Sequence, residues 1–196
     1  MTTEPDLIDR LSRALDQTGA IISRITSDQA TSPTPCSAWD VRGLVNHTVM
    51  DVQHFTVSAS GGRWEERDAD VIGDDWSGAY RRAADALLAA WRGWSDFETK
   101  VSLPIGEVPA SWMVGQHISD LVVHGWDLAK ATGQSTDLDP ELGERSLEWA
   151  RQNLKPQYRG DAASGASFGP EVPLSEDAPL YDRLAGVFGR RPSWPD

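Results

Sequence analysis

Between residues 75 and 94 the chain repeats apolar side chains at helical spacing. Trp76, Tyr80, Ala83, Ala84, Leu87, Leu88, Trp91 and Trp94 share one face, with no strand-like alternation. One helix cannot bury such a face alone, so other elements must cover it. Three further stretches carry the same period. Residues 4–25 place Leu7, Ile8, Leu11, Leu15, Ile21, Ile22 and Ile25 together, with Pro5 in the first turn, where it is tolerated. Ser37-Ala38-Trp39-Asp40 resembles a capping box with aspartate in its fourth position. It opens a helix that buries Val41, Leu44, Val45, Val52 and Phe55 and ends before Gly61-Gly62. Residues 110–131 carry the stripe Met113, Val114, Leu121, Leu128, flanked by Ile118 and Gly125, and Gly133 is placed to cap the C-terminus.

The connections are polar at 27–35, charged at 63–74, and a loop or brief strand pair at 97–108. After Gly133 the pattern loosens. A fifth helix runs from Asp139-Pro140 to about Asn153, with Leu142, Trp149 and Leu154 inward. Residues 157–174 are rich in Gly, Ala, Ser and Pro, and a last short helix over 179–188 ends at Gly189. These patterns predict an all-α four-helix bundle with additional short helices after the fourth. They also predict a single domain over residues 1–196, with an irregular C-terminal extension from about 134.

Composition narrows the function. A formal net charge of −12 argues against nucleic acid or an anionic membrane as partner. No apolar run approaches the roughly 20 residues needed to cross a bilayer, and the acidic start has no signal region. The expectation is a cytoplasmic protein. The single cysteine, Cys36, precludes an intramolecular disulfide and a Cys-rich zinc knuckle. Nine tryptophans leave room for an aromatic pocket or a homodimer interface, though core packing accounts for most of them.

The chemistry lies on two helices. His117 and His124 sit within the apolar stripe of the fourth helix, with Asp120 on its edge, and His47, Asp51 and His54 border the stripe of the second. Asp120 and His124, four residues apart, are neighbours on one face and supply half of a divalent-metal site. In bundles such sites are completed from a facing helix, which brings His47 or His54 into play. Members of each histidine pair are seven residues apart, about 10 Å along the axis at ~1.5 Å per residue, so both can hardly bind one ion. One histidine from each helix plus Asp120 is the economical set, and spacing alone leaves open which histidines. The competing reading is of satisfied core histidines. Asp127, further round the wheel, is expected to be exposed or salt-bridged.

Other motifs are weaker. Gly165-Ala166-Ser167-Phe168-Gly169 matches a nucleophile elbow, but Gly/Ala-rich chain precedes it and Pro170 follows, where the motif needs a strand and a helix. Cys36 reads as a buried loop thiol rather than a nucleophile, and Arg190-Arg191 as two solvated arginines.

Two segments carry a specific resemblance. Residues 34–47, Thr-Pro-Cys-Ser-Ala-Trp-Asp-Val-Arg-Gly-Leu-Val-Asn-His, and 121–129, Leu-Val-Val-His-Gly-Trp-Asp-Leu-Ala, resemble the actinobacterial metal-binding domain family of mycothiol-dependent maleylpyruvate isomerase, in the DinB-like superfamily. The tail, with Phe168-Gly169-Pro170-Glu171-Val172-Pro173, Asp182-Arg183-Leu184 and Gly189-Arg190, looks like its short single-domain members. The resemblance implies a DinB-like bundle holding a divalent metal, commonly zinc, on His47, Asp120 and His124. It implies mycothiol as cosubstrate, a metal-activated thiolate, and transfer to or isomerisation of an electrophilic small molecule. His54 and His117 would line the pocket or carry protons. The isomerase itself has glutamate where Asp120 stands. The alternative is a metal-binding module without catalysis, a sensor or an interaction domain.

Overall fold

The computed structural model describes residues 4–62, 69–103, 106–160 and 168–195. Among these are six α-helices and one hairpin: α1 (Glu4–Ile22), α2 (Val41–Ala59), α3 (Trp76–Arg92), β1 (Lys100–Leu103), β2 (Gly106–Pro109), α4 (Ala110–Ala131), α5 (Pro140–Asn153) and α6 (Leu180–Val187). The all-α class and the four long helices are as the periodicity required. The stretch 97–108 resolves toward the strand-pair alternative, with β1 and β2 antiparallel. The glycine-flanked serine segment lies largely outside the described residues, as does half of the charged connection at 63–74.

Local chemistry explains the helix ends. Asp75 and Asp139 cap α3 and α5, accepting bonds from Gly78 N and from the amides of Glu141 and Leu142. The cap of α2 corrects the capping-box reading. Asp40, not Ser37, is the N-cap, and its carboxylate takes the Gly43 amide at 2.7 Å. The segment before it is instead held by the loop, where the Val41 amide bonds to the Ser32 carbonyl. After α1 the helical ladder stops three residues short of Ile25, and Gly133 and Gly189 take positive φ after α4 and α6.

The four long helices close a ring in which α1 packs on α4, α4 on α2, α2 on α3, and α3 on α1. The buried Tyr80 hydroxyl donates to the Leu15 carbonyl at 3.0 Å, tying α3 to α1. Thr18, on α1, donates to the Leu121 carbonyl of α4 at 3.1 Å. α5 and α6 then cover the outer side of α4. Consequently α4 is not one-sided as its stripe suggested. Every residue from Leu121 to Ala129 is buried, including Val122, Val123 and Trp126, which lie off the expected stripe.

Candidate metal centre

α2 and α4 run antiparallel across their contact, so each step along one is matched by a step back along the other. His47 lies against His124, with ring centroids 5.2 Å apart and planes at 89°. One turn further, Asp51 and Asp120 come close enough to feel each other's charge. One turn beyond that, His54 neighbours His117, whose ring stacks flat on Phe55 at 4.0 Å. Spacings of three and four residues keep each trio on one stripe of its helix. The outcome is a three-rung polar ladder through an otherwise apolar contact.

Each half of the first rung is braced. Trp39 lies flat on the His47 ring, centroids 4.0 Å apart and planes within 14°. Its loop is folded by the Thr34 hydroxyl, shared between the carbonyls of Cys36 at 2.9 Å and Trp39 at 2.8 Å. On the other side, His124 Nδ1 meets Asp127 Oδ2 at 3.1 Å. Asp127 has no exposed surface, and Arg190 grips it through Nε at 3.3 Å and Nη2 at 3.1 Å. Arg190 also donates through Nη1 to the Phe188 carbonyl at 2.8 Å. Asp127 is therefore salt-bridged and buried rather than exposed, and Arg190 is not solvated but enclosed. Sequence pattern missed this pair because its partners are 63 residues apart, and a lone Arg-Arg dipeptide near a terminus gives no hint of burial. Only the i, i+3 spacing of His124 and Asp127 was available as a signal.

Burial sets the protonation of the ladder. It pushes His47 down to about 3, with the charges of His124 and Arg190 adding to the effect. His117 is likewise lowered to about 3, by burial first and then by His54. Asp51 is raised to about 6 by burial, against the pull of His124. Asp120 is raised well above the usual carboxylate range by burial and by Asp51, with Arg190 opposing. Asp127 goes the other way: burial would raise it, but Arg190 and His124 outweigh that and hold it ionised.

Cys36, His124 and Asp127 form a cluster whose ligand atoms all lie within 4.8 Å of one another, and it could hold a metal ion. Cys36 is half-buried, and desolvation lifts its thiol to about 11, with Arg190 pulling the other way. His47 and Asp120 flank His124 without joining that compact group. His124 is thus the residue common to both candidate arrangements. A cavity of about 840 Å³ lies elsewhere. It is lined by Arg10, Trp112, Gly115, Ser119, Ser146 and Trp149, on the side of α4 opposite the ladder.

Fold and site together define a class: an all-α bundle that presents His and Asp side chains from two facing helices. Solved structures of mycothiol-dependent maleylpyruvate isomerase share this fold. One, with a histidine replaced by alanine, superposes with a TM-score of 0.60 at 17% identity, covering 86% of this chain and 77% of that one. Another gives 0.58 at 18% over the same shares. The model of the mycothiol maleylpyruvate isomerase N-terminal domain matches residues 11–129, which span α1 to α4, and the chain belongs to that family. Uncharacterized proteins from two strains of Mycobacterium tuberculosis are 36% identical over 180 residues, 91% of this chain and 94% of theirs.

Proposed function

We propose that this protein binds one catalytic divalent ion, zinc foremost, through His47, Asp120 and His124, and uses it in chemistry of a low-molecular-weight thiol such as mycothiol. The observation that carries the reading is the braced His124. Its Nδ1 is engaged by a carboxylate that is itself locked by Arg190, leaving Nε2 as the ligand nitrogen. Carboxylate–histidine pairs of this kind fix the tautomer and raise the basicity of metal-binding imidazoles. The donor types suit a divalent ion: His47 is held neutral, so its lone pair is free for a cation, and Asp120, disfavoured as a lone anion, would gain a counter-charge.

The Cys36 cluster is the weaker host. Its carboxylate is already paired, and a cation there would sit beside the Arg190 guanidinium. Bound metal would supply charge stabilisation that keeps a thiol deprotonated at neutral pH. The chain's residues would hold the ion in a partly open setting, since His47, Asp51 and Asp120 each keep some solvent contact. The family and the isomerase neighbours support the thiol as substrate class; the electrophile is a small molecule.

The test is metal analysis of untagged protein beside a His47→Ala, His124→Ala variant, followed by cobalt substitution and addition of mycothiol. Metal in the wild type, lost in the variant, with cobalt absorption that shifts on adding thiol, is expected. Metal retained by the variant, or a cobalt spectrum indifferent to thiol, would overturn the reading.

A further inference from the structure

The cavity on the far side of α4 from the ladder is built like a ligand site. At about 840 Å³ it falls among the volumes that hold small organic molecules. Leu7 of α1, Ile118 of α4 and Phe97 of the connection before the hairpin, all buried, give it an apolar lining. The indoles of Trp112 and Trp149 add to it, with centroids 5.3 Å apart and planes at 53°. Gly115 clears the place for one of them. A Cβ there would stand 2.9 Å from Trp149 Cδ1 and 3.0 Å from its Nε1, so the indole lies directly on α4.

Three groups on this lining can donate hydrogen bonds and are short of an acceptor. Ser146 is 1% exposed, and its hydroxyl has no partner among the described residues. Trp149 Nε1 is buried and equally without one. Arg10 is 7% exposed, yet its guanidinium reaches only the Asp6 carbonyl at 3.3 Å and the half-exposed Asp6 carboxylate at 3.4 Å. Those contacts exceed the ~2.7–2.9 Å of strong charge-assisted bonds. Buried polar groups are ordinarily paired, because leaving one dry and unbonded costs more than a made bond gains.

An anionic acceptor suits all three. A guanidinium and an indole N–H can only donate, a hydroxyl can do either, and the guanidinium fork matches a carboxylate in shape and charge. The cavity's own acids lie at its exposed edge and are engaged there. Glu98 accepts from Ser111 Oγ at 3.2 Å, and Glu148 meets Arg145 at 3.4 Å.

We infer that this cavity binds a small organic carboxylate with an aromatic body, its acid group toward Arg10 and Ser146 and its ring against the Trp112 and Trp149 indoles. Helical spacing turns Gly115 and Ser119 away from His117, Asp120 and His124, so the ligand does not touch the ladder. The inference therefore stands apart from the metal reading.

The probes are naphthoate, its neutral amide and decanoate, titrated into the full chain by calorimetry with and without chelator. Indole N–H resonances of nitrogen-labelled protein locate the ligand, and Trp39, stacked on His47 at the ladder, is the internal control. Naphthoate is expected to saturate at one equivalent and to move the Trp112 and Trp149 signals but not that of Trp39. The amide and decanoate should each bind about tenfold more weakly, as should naphthoate to Arg10→Gln, with a loss of roughly fivefold for Ser146→Ala. Circular dichroism checks that both variants fold, and the comparison of acid with amide needs no variant. No saturable binding, acid and amide bound alike, or decanoate bound as tightly as naphthoate overturns the inference. So does a folded Arg10→Gln protein of unchanged affinity. A shift at Trp39, or binding lost with chelator, places the ligand on the ladder and overturns it as well.

Discussion

Replacing Arg190 by methionine is the sharpest test of how the site is held. The guanidinium meets Asp127 at 3.1–3.4 Å through Nε and Nη2, and both side chains are buried. Losing one partner of a buried pair strands the other charge, at a cost of about 3–5 kcal/mol. The contacts are longer than the ~2.7–2.9 Å of the strongest charge-assisted bonds, which places the expectation near ~3 kcal/mol. For a chain of this size ~1 kcal/mol moves Tm by roughly 2–4 °C, so a fall of about 6–12 °C follows. The pH dependence carries a definite sign. In the wild type the Asp127 carboxyl is held below its ordinary range, so its stabilisation is full above the unfolded pKa of about 4 and is lost as pH falls through the lower folded value. In Arg190→Met burial raises the same carboxyl, so protonation relieves the strain and the gap to wild type closes toward acid. Thermal and urea denaturation of apo-protein between pH 8 and pH 4 reads both effects. Adding Asp127→Leu to Arg190→Met should restore most of the loss. A loss under ~1 kcal/mol at pH 7.5, or a double variant no better than the single one, would refute the reasoning.

Three other perturbations probe separate links. Asp127→Asn keeps the shape but weakens the acceptor on His124 Nδ1, so metal affinity should fall about 10–100-fold in a chelator competition, and an unchanged affinity would sever the bracing argument. Asp51, raised to about 6 by burial, destabilises the metal-free fold as it ionises between its unfolded value and that one. Asp51→Asn should therefore stabilise apo-protein at pH 8 by on the order of 2 kcal/mol, fading below pH ~4, in urea denaturation with chelator present. A Cβ on Gly143 would stand 2.8 Å from Tyr181 and 2.9 Å from Leu180, so Gly143→Ala should cost about 1–3 kcal/mol where an open helical site would gain ~1. A rise in Tm for that variant would show that α6 is not seated on α5 as described.

Much of this molecule was legible from its residues alone. The 3.6-residue period located the four long helices, and α4 runs Ala110–Ala131 as its pattern required. Asp139 before Pro140 announced the start of α5, and the spacing of His47, Asp51, His54 and of His117, Asp120, His124 put each trio on one stripe. These are local facts, because periodicity and caps depend on neighbours within a turn or two. Where the cap was misjudged, at Ser37 instead of Asp40, the loop's bonds to Ser32 and Ala30 decided the start of the helix, and they are not visible in the capping pattern. Tertiary structure alone decided that α4 is enclosed on every side, since α5 and α6 cover a face that its sequence leaves ambiguous. It alone brought Arg190 onto Asp127 across 63 positions and aligned the two stripes into opposed rungs. The physical reason is desolvation: whether a carboxylate or imidazole is charged, paired or stranded depends on what excludes water from it, and that is a property of the packed molecule rather than of any segment.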